Sequence, residues 1–170
     1  NQTKQATIAI AEHNGPVYLR FGRPKVPNFT TENEPFIIGK GILMRKGIDV
    51  SIFATGHLVW ESLEAAKRLQ QKNISAEVIN ISTIKPLDEK IILDSIQKTK
   101  CAVTAEEHQK LGGLGGSIAQ LLSEKMPSPL EMIAVNDQFG ESGKPSLLMK
   151  KYKLDAENII KACEKVLQRK

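Results

Sequence analysis

From Gly39 onward the apolar residues switch repeatedly between the short period of a strand and the longer period of a helix, and few architectures accept that alternation. "GKGILMRKG" reads as a strand ending in a turn at Lys46-Gly47. "IDVSIFATG" alternates apolar side chains at Ile48, Val50, Ile52 and Ala54. From His57 to Asn73 the period lengthens, with Leu58, Ser62, Ala65, Ala66 and Leu69 on one helical face. "AEVINIS" is a strand, and Asp88 caps a helix carrying Ile91, Ile92, Leu93 and Ile96. "CAVTAEE" is a strand, Gly116 to Met126 a helix, and "EMIAV" a strand. The last helix starts at Asp155 and carries Ile159, Ile160, Cys163, Val166 and Leu167. Strands separated by helices need crossovers, which lay strands parallel with helices on both faces. The expected fold is a three-layer α/β/α domain with a mixed, mostly parallel sheet of about five strands. Its first two strands, joined by the tight turn, are expected to pair antiparallel.

The front of the chain does not share this rhythm. "TKQATIAIAEHNG" reads as the end of a helix closed by Asn14-Gly15, and "PVYLRF" as a short strand. Pro24, Pro27 and Pro35 then punctuate a polar stretch that reads as a linker. The expected division is residues 1–23 as the tail of a preceding domain, 24–38 as linker, and 39–170 as the main domain. A lone helix and strand cannot build a core. With Asn1 rather than Met in first place, the expectation is a piece of a longer chain.

A chain of 170 residues supplies one sizeable core and not two. The formal charge of +5 suits an anionic partner, but the lysines are scattered and lack interleaved aromatics, so neither nucleic acid nor membrane is the expected partner. Cys101 and Cys163 both fall in apolar patterns and read as core thiols of a reduced protein. With no apolar run of membrane-spanning length and no signal peptide in view, the expected location is the cytoplasm.

Four features could carry chemistry. "TAEEHQKLGGLGGS" runs from a strand through Glu106, Glu107 and His108 into the glycines Gly112 to Gly116 and then a helix. It lacks the Gly-Lys-Ser/Thr of a phosphate loop, and Ile118 stands where a dinucleotide fingerprint needs its third glycine. Structural glycines, letting the helix approach the sheet or a partner domain, are the simpler reading. His57 sits where a strand turns into a helix and suits either a helix-start polar residue or an acid-base group. His13 precedes a helix-ending turn, where a partial positive charge is favourable. Arg20 and Arg23 stand three apart where "VYLRFGRP" leaves its strand, with Gly22 between them to permit a bend. Their planar guanidinium groups suit a phosphate, and surface ion pairing is the alternative. No Cys-x-x-Cys, His-Glu-x-x-His or calcium-loop pattern marks a dedicated metal site.

"GPVYLRFGRPKVP", "GKGILMRKGIDVSIFATGH", "VINISTIKPLD", "TAEEHQKLGGLGG" and the stretch from "FGESGK" to "LLMKKYKLDAENII", in this order, resemble the C-terminal part of transketolases, split transketolases above all. "STIKPLD" and the Glu-Glu-His glycine loop are similar also in deoxyxylulose-phosphate synthases and in β subunits of 2-oxoacid dehydrogenases, which stay as alternatives. A stand-alone assembly or regulatory module built on the same fold is a further one. The resemblance implies an intact enzyme that uses thiamine diphosphate and Mg²⁺ to pass a two-carbon ketol unit between sugar phosphates. It implies a homodimer whose cofactor lies between a pyrophosphate-binding and a pyrimidine-binding domain, or an N-terminal partner subunit supplying the former. On this reading residues 1–23 end the pyrimidine-binding domain, whose activating glutamate is expected upstream of Asn1. The C-terminal domain serves assembly, with no catalytic, cofactor or metal residue of its own. The isolated chain is expected to be inactive and to bind no cofactor. Arg23 falls where the family binds the substrate phosphate, with Arg20 the weaker candidate.

Overall fold

The computed structural model describes residues 1–22, 26–32 and 35–170. A single five-stranded sheet forms the middle layer. Its strands are β1 (Ile42–Arg45), β2 (Val50–Ala54), β3 (Ala76–Asn80), β4 (Ala102–Gln109) and β5 (Leu130–Val135), in the spatial order β1-β3-β2-β4-β5. β2, β3, β4 and β5 run parallel, and β1 alone is antiparallel. The expected fold class stands.

Every residue of β2 and β3 is buried, because helices cover both faces. Alternation then sorts the side chains. Val50, Ile52, Ala54, Val78, Val103 and Ala105 pack under α2 (Leu58–Gln70) and α6 (Ala156–Leu167). Phe53, Ile79 and Ala102 pack on the opposite face under α3 (Glu89–Thr99) and α4 (Leu114–Lys125). That second face also buries Ser51, Glu77, Thr104 and Glu106. Ser51 lies 2.5 Å from Ser95 and 2.6 Å from Thr99 of α3, and Ser95 donates to Glu77, which also pairs with Lys98. Charge and hydroxyls are thus satisfied within the layer, as burial requires.

Two helix starts are capped by the side chains their sequences announce. Asp88 accepts from Ile91 N–H and also from Gly41 N–H at 3.0 Å, tying α3 to the approach of β1. Asp155 accepts from Asn158 N–H at 3.0 Å. A short helix, α5 (Pro145–Lys151), was not visible in the sequence pattern. Proline opens it, and it buries no residue, so no apolar stripe marks it. Both cysteines are free and buried, and burial pushes both thiols above their ordinary pKa.

Two expectations need correction. β1 does not form a hairpin with β2; it pairs with β3. Both edges of β2 are occupied by β3 and β4, so the chain passes Gly47 across the start of β3, where Ile48 and Asp49 N–H both donate to Ser75 O. The second correction concerns "PVYLRF". Residues 16–21 carry no strand and have no ladder partner among the described residues, although Val17, Tyr18 and Phe21 are exposed apolar side chains. Ahead of them lies α1 (Gln2–Ala11), buried only at Ala6. It ends where expected, with His13 N–H donating to Ile10 O.

Glu131 offers a direct test of how β5 is held. It accepts from Lys165 at 2.8 Å and from Arg169, both at the α6 end of the chain. Partial burial pushes its carboxyl pKa up, but the two cations outweigh that and hold it below its ordinary value of 4.5. A lowered folded-state pKa contributes stability above that ordinary value and loses it as pH falls through the folded value. In urea titrations, the stability difference between the native chain and Glu131→Gln should therefore be present at neutral pH and shrink toward pH 3. A difference independent of pH would contradict this account.

Candidate functional site

α2 leaves β2 on one face of the sheet, and α4 leaves β4 on the other. Because β2 and β4 are neighbours, their carboxyl ends frame the crevice where open α/β sheets hold ligands. Three distant stretches of chain meet there.

β2 ends at Ala54, and Gly56, at φ +59°, turns the chain into α2. His57 occupies the N-cap position of α2, but its side chain makes no capping bond. Its Nδ1 instead lies 3.2 Å from Glu107 Oε2, with side chains 20% and 44% exposed respectively. Arg20 Nη1 reaches the same residue and donates to Glu107 O at 2.9 Å. Gly22 rests against the other side of the imidazole. A Cβ there would fall under 3.0 Å from His57 Nε2 and Cε1. Arg20, Gly22, His57 and Glu107 therefore form one cluster across the crevice. Arg23 lies outside the described residues.

Beside this cluster is a cavity of about 370 Å³, lined in part by Gln2, Arg20, His57, Asn80 and Ser82. Asn80 Nδ2 donates to Gln2 Oε1, joining the end of β3 to α1. Ser82 Oγ is buried with no hydrogen-bond partner among the described residues. Phe29 closes another side by packing its ring 5.9 Å from Trp60 of α2.

The glycine loop has a structural task. Glu106, only 2% exposed, accepts from Leu114 N–H and Gly115 N–H, both at 2.8 Å. It caps α4 from eight residues upstream, so these helix-start amides are not open to an anion. Gly113 leaves room for that carboxylate, and Gly115 lets α4 close on the sheet, since a Cβ there would stand 2.9 Å from Thr104 Oγ1. His108 points away, exposed, with Nδ1 2.9 Å from Gln109 O. The sequence singled out His57, His108 and the two arginines, but it did not single out Glu106 or Glu107 as their organisers. Fifty positions separate His57 from Glu107, and only the parallel pairing of β2 and β4 brings them together.

A thiamine diphosphate–Mg²⁺ group needs clustered oxygen ligands for the metal. Among the described residues no three His, Cys, Asp or Glu side chains gather into such a set, and Glu106 has both oxygens committed to amides. The described residues do not fit that group. Nor is any described helix long and apolar enough to cross a membrane.

The model of the transketolase C-terminal domain matches residues 39–159. The chain is 43% identical over 169 residues to the 6-deoxy-6-sulfo-D-fructose transketolase subunit SqwH of Clostridium sp. (strain MSTE9), covering 99% of this chain and 52% of that protein. It is 34% identical over 161 residues to one of the subunits of the apulose-4-phosphate transketolase of Phocaeicola vulgatus, covering 94% of this chain and 51% of that one. It also superposes with a TM-score of 0.92 on a split-gene transketolase solved as an inactive β4 tetramer, at 41% identity, covering 96% of this chain and 55% of the other. The chain thus spans about half the length of the relatives it matches.

Proposed function

The chain belongs to the transketolase C-terminal domain family, and we propose that it is the C-terminal part of a split transketolase subunit acting on ketoses with a terminal anionic group. In this reading residues 39–170 are the C-terminal domain, 24–38 the linker, and 1–23 the end of the pyrimidine-binding domain. An N-terminal partner subunit completes the enzyme, and copies of this chain associate with each other. The separately named subunit of the apulose-4-phosphate enzyme and the β4 tetramer are the precedents for such an arrangement. Thiamine diphosphate and Mg²⁺, held by the other domains, supply the chemistry of two-carbon ketol transfer between sugar phosphates.

The double-arginine segment carries the reading. Residues 16–21 run extended along the crevice with apolar side chains facing outward and no ladder partner among the described residues. An extended segment of this kind suits the last strand of a neighbouring sheet. It ends at Gly22, so Arg23 departs from the boundary between that sheet and this domain. There a guanidinium can form a paired, charge-assisted grip on a phosphate or sulfonate. Arg20, with one N–H on Glu107 O, is the second candidate and has donors left over.

The test is Arg23→Ala in the assembled enzyme. The KM for fructose 6-phosphate should rise about 10- to 100-fold, the span expected for losing a charged hydrogen-bonded contact. The KM for fructose should stay within about twofold. Equal effects on both sugars would overturn the assignment.

A further inference from the structure

We propose that His57, braced by Glu107, is a positioning residue that latches the Phe21-Gly22 end of the extended segment and thereby aims the clamp that follows it. The proposal rests on reading Arg23 as that clamp.

The segment has little else to fix it. Among the described residues, no backbone hydrogen bond holds residues 16–22 to the rest of the molecule. Tyr18 and Phe21 are exposed, and Leu19 alone is partly buried. What remains is two contacts near its end, both leading to Glu107. Arg20 donates to the Glu107 carbonyl, and Gly22 lies on the imidazole that faces the Glu107 carboxylate.

The base of the latch is rigid. Glu107 lies within β4, and His57 follows directly on the fully buried β2. Leu58 and Val59, next in the chain, are both buried. The ring has two faces of contact and uses both. Nδ1 meets the carboxylate, which holds the ring plane, while the Nε2–Cε1 edge meets Gly22. The fit on that edge requires glycine, because any Cβ would collide with the ring. A ring free to rotate would not keep such a contact, and a segment free to shift would not keep its next residue aimed. Misplacing a substrate-holding group by about 1 Å can cost up to about 100-fold.

Glu107→Gln keeps an acceptor for the ring N–H, whereas Glu107→Ala removes it. His57→Ala removes the latch while leaving the covered core of β2 and α2 intact, so its thermal midpoint should fall by no more than about 2 °C.

The experiment uses the assembled enzyme with fructose 6-phosphate and fructose as donors, together with amide hydrogen exchange over residues 16–22. His57→Ala and Glu107→Ala should each raise the KM for fructose 6-phosphate about tenfold, leave the KM for fructose within about twofold, and speed exchange. Glu107→Gln should restore most of the native KM. In an Arg23→Ala background His57→Ala should add nothing to the KM, because the latch acts only through the clamp. Additive effects, equal losses on both sugars, or failure of Glu107→Gln to rescue would overturn the proposal. So would unchanged exchange and KM in His57→Ala while Arg23→Ala still discriminates; that result would leave the clamp reading standing. If instead Arg23→Ala fails to discriminate while His57→Ala still speeds exchange, the clamp reading falls. His57 is then only a tether, and the role given it here falls too.

Discussion

Replacing Gly47 with alanine is expected to destabilise the fold by about 3 kcal/mol, the upper part of the usual range for overpacking. Gly47 is buried where the chain crosses from β1 to β2, directly over the start of β3. A Cβ at this point would fall under 3.0 Å from Ala76 C and Glu77 N. Those are backbone atoms of a strand hydrogen-bonded on both sides, so neither a rotamer change nor a small side-chain shift relieves the clash. Either β3 moves, disturbing its pairing with β2, or the crossing lifts, costing the bonds from Ile48 and Asp49 N–H to Ser75 O. In a thermal melt this should appear as a drop of roughly 6–12 °C for a domain of this size. A change under about 2 °C would mean that the crossing is loose and that the close approach is not needed.

Glu106→Ala is expected to cost about 2–4 kcal/mol, because it leaves two buried helix-start amides without an acceptor. The carboxylate is nearly inaccessible, and its two oxygens divide between Leu114 and Gly115 N–H. Glu106→Gln keeps one acceptor oxygen but brings an NH₂ against the other amide. It should therefore recover only part of the loss. Denaturant unfolding of the two variants beside the native chain decides the matter. Equal stability of all three would show that the carboxylate does not cap α4. A near-native Glu106→Gln would show that one amide suffices. Gly113→Ala serves as an independent check, since its Cβ would enter the space of the same carboxylate.

The α/β/α architecture was readable because strand and helix periods differ and recur. Val50, Ile52 and Ala54 alternate onto one core, and Ile92 and Ile96 return at helical spacing to the other. Asp88 and Asp155 marked helix starts by a local rule that needs no tertiary information. Pairing partners were another matter. Nothing local distinguishes a β1–β2 hairpin from β1 joined to β3, because the choice depends on which strand needs both edges occupied. "PVYLRF" has strand-forming residues, yet a strand exists only when another supplies its hydrogen bonds. The His57–Glu107 contact was hidden for the same reason, since it is created by sheet order. Glu106 and the glycines before α4 stood in plain view as a pattern. Their meaning, a carboxylate capping a helix across a loop, depends on distances that spacing does not contain.

The antiparallel edge strand has a consequence for biosynthesis. A ribosome releases Ile42–Arg45 well before Ala76–Asn80, and β1 has no other partner in the sheet. At about 5–20 residues per second, β1 must wait some seconds while β2, α2 and β3 emerge. During that interval an apolar edge stays open to any neighbouring nascent chain, and Arg45, Lys46 and the nearby Lys40 are the charges that guard it.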